Sequence, residues 1–289
     1  MVISARCFLM CVFMVLLLNP AAGRKQTLGQ ERGNVLARAE SEDFELSARM
    51  DTTDAIHVRH KKTGEQYSIP STSDVHHIEQ LDFAMDNRAL ARAARNDLGR
   101  GSTMLVLDLQ RRAMVDELVG LRFSLSPDKR YVAFLEWAPA HFDNGASSLV
   151  YVYDLAASSF ENRITNAVVG IPVYPPNMLN SKVPASQRHE FGGPFSWLAG
   201  TDVFGFEDQF QGKLWLVIVD LRPGLRNPLR LAQPIDSSVL GQSLCALGSN
   251  IRSIKSSPKG TEYVSVELVS GANECGQFDV AVKGLRLPQ

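Results

Sequence analysis

Ser126-Pro127-Asp128-Lys129-Arg130-Tyr131-Val132-Ala133-Phe134-Leu135-Glu136-Trp137, followed after a gap by Leu149-Val150-Tyr151-Val152-Tyr153-Asp154-Leu155, decides how the chain is read. Proline presets φ and the Asp128 carboxylate bonds the following backbone, so Ser126 to Arg130 predicts a tight turn. β-Branched and aromatic residues fill both apolar runs, and Asp143-Asn144-Gly145 supplies a hairpin turn between them. The stretch therefore predicts turn, strand, hairpin, strand.

The same pattern returns on either side. Met85-Asp86-Asn87 leads through an Ala/Arg segment to Met104-Leu105-Val106-Leu107-Asp108-Leu109. Ala199-Gly200 leads to Asp202–Glu207 and then to Leu214–Leu221. Ser257-Pro258-Lys259-Gly260 leads to Tyr263–Glu267 and Phe278–Val282. Asp86 to Asp108, Asp128 to Asp154, Gly200 to Asp220 and Lys259 to Lys283 are separated by 22, 26, 20 and 24 positions. A strand-turn-strand unit repeating at this spacing signals an all-β fold, a β-propeller of about five blades, because one such sheet cannot bury its faces alone. An earlier hairpin, Ala55–His60 with Glu65–Ile69, matches the end of a unit. The first unit lacks an early strand and the last stops soon after Leu285, so N- and C-terminal strands sharing a blade would close the ring and remove exposed edges. Arg88–Arg95 has helix-forming composition but occupies a strand position in the repeat, and the repeat is followed.

Ser126-Pro127-Asp128-Lys129-Arg130-Tyr131-Val132-Ala133-Phe134 with Val150-Tyr151-Val152-Tyr153-Asp154-Leu155 resembles the WD40-like (PD40) repeat of TolB-type proteins. Lys129 stands where that family often has Gly. The resemblance implies an extracytoplasmic propeller that serves as a binding scaffold.

The first residues have the form of an export signal: Arg6, an apolar run from Cys7 to Leu18, and small residues at Asn19–Gly23. Residues 1–22 are read as a signal peptide, 23–42 as a flexible linker, and 43–289 as a single propeller-like domain with an insertion at 168–194. Only Arg6 is charged among residues 1–22, so their removal takes the formal charge from -1 to -2. That balance argues against nucleic acid, whose phosphates demand a basic face. Cys7 and Cys11 leave with the signal. Cys245 and Cys275 then read as a disulfide in an oxidising periplasmic or extracellular space, with two buried thiols as the alternative.

Counting from each first turn places Glu136, Glu207 and Glu267 at one strand end, with Ala94 and Arg95 there in the second unit. Carboxylates converging on a rim suit a cation, a basic peptide or acid/base chemistry on a sugar, and solvated strand ends are the plain alternative. The insertion 168–194 carries Tyr174, Met178 and Phe191 as a candidate recognition loop. The six histidines show no metal spacing, and no nucleophile elbow, P-loop or dinucleotide fingerprint occurs. No cofactor or metal is expected. The chain is expected to be an exported scaffold and not an enzyme, binding a protein or cell-envelope component. A carbohydrate-active enzyme using the rim carboxylates and a small-ligand or calcium-binding propeller are the alternatives.

Overall fold

Ser126 organises the turn that the sequence singles out. Its Oγ accepts the N–H groups of Arg130 at 3.1 Å and Tyr131 at 2.8 Å, and donates to Asp128. Lys129 lies in the left-handed region at φ 64°, which explains why glycine suits this position. The computed structural model describes residues 35–49, 55–72, 75–95, 102–136, 149–157, 168–172, 189–235, 250–282, 284 and 287.

Every regular element among them is a strand. The first sheet is a meander of β1 (Val35–Glu40), β2 (Phe44–Arg49), β3 (Ala55–His60) and β4 (Gln66–Pro70). The second runs in chain order through β5 (Val75–Phe83), β6 (Arg88–Arg95), β7 (Ser102–Asp108), β8 (Ala113–Leu125), β9 (Tyr131–Glu136), β10 (Leu149–Asp154) and β11 (Val168–Pro172). The third contains β12 (His189–Trp197), β13 (Val203–Phe210), β14 (Lys213–Asp220) and β15 (Leu229–Pro234). The fourth contains β16 (Asn250–Ser256), β17 (Tyr263–Ser270) and β18 (Asn273–Ala281). All neighbouring strands are antiparallel.

The second sheet divides at β8. Residues from Ala113 to Gly120 pair with β7, whereas Gly120 to Leu125 pair with β9. A register shift between Leu121 and Ser124, with Arg122 at φ 57°, marks the change. The two halves also pack face to face, with Leu90, Met104 and Val106 against Val132, Phe134 and Tyr153. One long strand thus ends one four-strand meander and begins the next.

Three further clusters join successive units. Leu46, Ile56 and Val58 meet Ala89, Ala91, Ala93 and Leu105. Tyr131, Ala133 and Leu135 meet Phe195, Phe204 and Phe206. Val203, Leu216 and Ile218 meet Ile254, Val264 and Val266. Interior strands are therefore covered on both faces, which is why Tyr131–Leu135 reads as a continuous apolar run.

The Ala/Arg segment is strand β6, as the repeat predicts. Ala89, Ala91 and Ala93 are fully buried against the first sheet, and this packing outweighs their helix propensity. The 23–42 linker needs correction, because Val35–Glu40 forms β1 in antiparallel pairing with β2. The polar spelling of that edge strand hides it. The reading also omits the first and outer strands of most units. Among the described residues β18 pairs only with β17, so no strand shared by the two ends of the chain is seen.

Candidate functional site

The strand registers align the units. A main-chain bond from the residue after each third strand returns to the residue before the second strand. It joins Lys61 to Asp43, Leu109 to Asn87, Leu155 to Arg130, Leu221 to Asp202 and Val282 to Glu262, at 2.7, 3.0, 2.9, 2.9 and 2.8 Å. Counted from this bond, Glu207 and Glu267 are equivalent, and Leu135 occupies their position in the unit of β9. Glu136 is one residue further on, at the position that Asp208 holds in the unit of β13. A one-residue difference transfers a position to the other face of a sheet, so the three glutamates do not form one ring. Counting from the turn misses this because the preceding loops differ in length.

Glu207 is buried, 2% exposed, and accepts the main-chain N–H of Ile251 in β16. Burial raises its pKa, while the Ile251 bond and the Arg122 guanidinium pull it down. Glu267 is half-buried, accepts Ser253 Oγ at 2.8 Å and lies 3.4 Å from Arg252. Both carboxylates are thus engaged between strands. Arg95 ends β6, with its backbone opposite Val75.

Phe191 is core rather than loop. It packs edge to face on Phe206 with centroids 5.5 Å apart. The insertion 168–194 opens as β11 and closes as the start of β12. Tyr174, Met178 and Cys245 lie outside the described residues. Cys275 is half-buried and packs against the last cluster together with Phe278 and Leu231. No group of three or more His, Cys, Asp or Glu is placed to hold a metal among the described residues.

The aspartates that close the third strands are structural. Asp108, Asp154 and Asp220 are buried and accept N–H groups of the following turn, from Arg111, Ala156 and Arg222 at 2.8, 2.9 and 2.9 Å. They pair with Arg88, Arg130 and Arg222 respectively. The repeat marker in the sequence is a turn cap.

A cleft at the turn end, between the first sheet and the β5–β8 meander, is absent from the sequence reading. Its volume is about 330 Å³, and Asp43, Phe44, His60, Glu65 and Tyr67 face Asn87, Leu109, Gln110 and Arg112 across it. Tyr67 Oη donates to Leu109 O at 2.7 Å, joining the two walls. The Arg112 guanidinium lies 4.8 Å from the Tyr67 ring centre and 2.7 Å from Glu65. Burial raises the Tyr67 pKa, so its hydroxyl keeps its proton. No local motif announces this cleft, because its walls come from separate turns, residues 43–67 on one side and 87–112 on the other.

No family model and no curated protein matches the chain. The TolB-type resemblance therefore has no support from those comparisons. Solved structures to which the chain is similar include the hydrazine synthase of Kuenenia stuttgartiensis, at 14% identity and a TM-score of 0.40, with 83% of this chain and 69% of that one covered. A prolyl endopeptidase is similar at 13% identity and a TM-score of 0.46, covering 87% of this chain and 33% of that one. Prolyl oligopeptidase B of Galerina marginata is similar at 9% identity and a TM-score of 0.45, covering 88% and 34%. The chain spans about a third of the length of the two peptidases. The expectation that the chain is not an enzyme is corrected, since these similar solved structures are themselves enzymes.

Proposed function

We propose that the chain is an exported β-propeller of five units, of the WD40-like TolB type, that recognises a protein or cell-envelope component through the turn end of its sheets. The observation that carries this reading is the cleft between the first two units, built from turn residues on a scaffold of repeated main-chain bonds. Glu207 and Glu267 are committed to bonds between strands, which moves recognition away from their end of the sheets. In this reading β8 joins the second and third blades. Export places Cys245 and Cys275 in an oxidising space, where the two would pair as a disulfide.

Photo-cross-linking in the native envelope tests the proposal, with the reactive residue at Arg111 beside the cleft or at Lys213 at the opposite end. A reproducible adduct from Arg111 and none from Lys213 is expected. Adducts confined to Lys213, or none from either position, would refute recognition through the turn end.

A further inference from the structure

The inter-sheet cleft has a lining that defines the chemistry of its occupant, and the inference rests on the recognition reading above. Its charges are internally balanced: Glu65 pairs with Arg112 at 2.7 Å and Asp43 with Lys62 at 2.5 Å. A charged ligand would have to break a pair, so the lining favours a neutral one. Its main chain is occupied at the mouth, where Asp43 O accepts Lys61 N–H and Asn87 O accepts Leu109 N–H. An extended peptide recognised through a backbone ladder finds no open strand there.

The groups left for a guest are side chains. Asn87 and Gln110 are exposed and bring carboxamides, each both donor and acceptor, from turns of the second wall. His60 Nδ1 accepts the Thr63 N–H at 3.2 Å, so the neutral ring carries its proton on Nε2 and keeps one donor. Phe44 packs edge to face on His60, with centroids 4.9 Å apart, and adds apolar surface. The bond from Tyr67 to Leu109 holds the two walls together without a ligand, so the site is largely pre-formed.

We infer that this cleft binds a neutral saccharide, whose hydroxyls match the carboxamides and whose C–H face matches the aromatic edge. A volume of about 330 Å³ is at the small end for ligand sites and suits one or two sugar rings.

Saturation-transfer NMR on the full secreted chain tests this, using cellobiose, maltose, lactose and chitobiose as probes and a neutral Gly/Ser hexapeptide for comparison. The double variant Asn87→Gly with Gln110→Ala removes both carboxamides. Glycine tolerates the φ of 57° at position 87, and position 110 is exposed, so the fold is preserved; unchanged circular dichroism and Tm verify that. At least one disaccharide is expected to bind, with at least a tenfold loss in the variant. Absence of signal from all four, equal binding by the variant, or binding of the hexapeptide alone would overturn the assignment. Cross-linking from Arg111 without saccharide binding would leave the recognition reading standing and remove the saccharide. Saccharide binding without an adduct would keep the ligand class and remove the macromolecular partner.

Discussion

The Glu207 carboxylate on β13 accepts the main-chain N–H of Ile251 on β16, anchoring one sheet on the backbone of the next. Gly205, two residues earlier on the same face, lets the Ile254 side chain approach where a Cβ would stand. Close approach and a polar anchor thus sit side by side at the interface of the last two sheets.

Replacement of Glu207 separates the bond from the charge. Burial raises its folded-state pKa above the ordinary glutamate value. Its contribution to stability is therefore fully present below that ordinary value and is lost as pH rises through the folded pKa. Glu207→Gln keeps an acceptor for Ile251 without the charge, so the difference in Tm between variant and wild type should shift in favour of the variant across that window. Glu207→Ala leaves a buried N–H unpaired and should cost about 1–3 kcal/mol at all pH values. Thermal melts across the acid range check both.

Gly205→Ala should strain the same interface. Its Cβ would crowd Ile254 and lie 2.9 Å from Ile218 Cδ1, and both contacts are side-chain ends that can move only into a filled core. A loss of about 1–3 kcal/mol in denaturant unfolding is expected. An unchanged midpoint would show that β16 slides freely on β13.

Lys129→Gly should stabilise the protein. Lys129 holds φ at 64°, a conformation that costs an L-residue about 1–2 kcal/mol, partly offset by the greater freedom of glycine in the unfolded chain. The net gain expected in urea titration is a few tenths to about 1 kcal/mol.

Asp154 separates cap from ion pair. It accepts Ala156 N–H at 2.9 Å and holds Arg130 at 3.0 Å, with Arg130 partly exposed. Asp154→Asn keeps an acceptor and loses the pair, whose solvent-screened contribution is under about 1 kcal/mol. Asp154→Ala loses both and should cost about 1–3 kcal/mol, measured by the same titration.

Much of the fold is legible locally. The Ser126 turn, the strand β9 and the hairpin partner β10 follow from proline, short polar caps and apolar runs, and the aspartate at position 154 marks a real unit boundary. The site is far less legible. Phe191 looks like a loop aromatic beside prolines and glycines, yet its ring is held by Phe206 from another strand. Glu207 looks like a solvated strand end, yet a neighbouring sheet covers it.

By itself the sequence determined the strand-turn-strand period, because turn chemistry and side-chain alternation act over a few residues. Only the tertiary structure decided that β8 serves two meanders, that Leu135 rather than Glu136 matches Glu207, and that Glu65 meets Arg112 across a cleft. Each of these depends on register and on contacts between distant residues, where a shift of one position reverses the face a side chain presents.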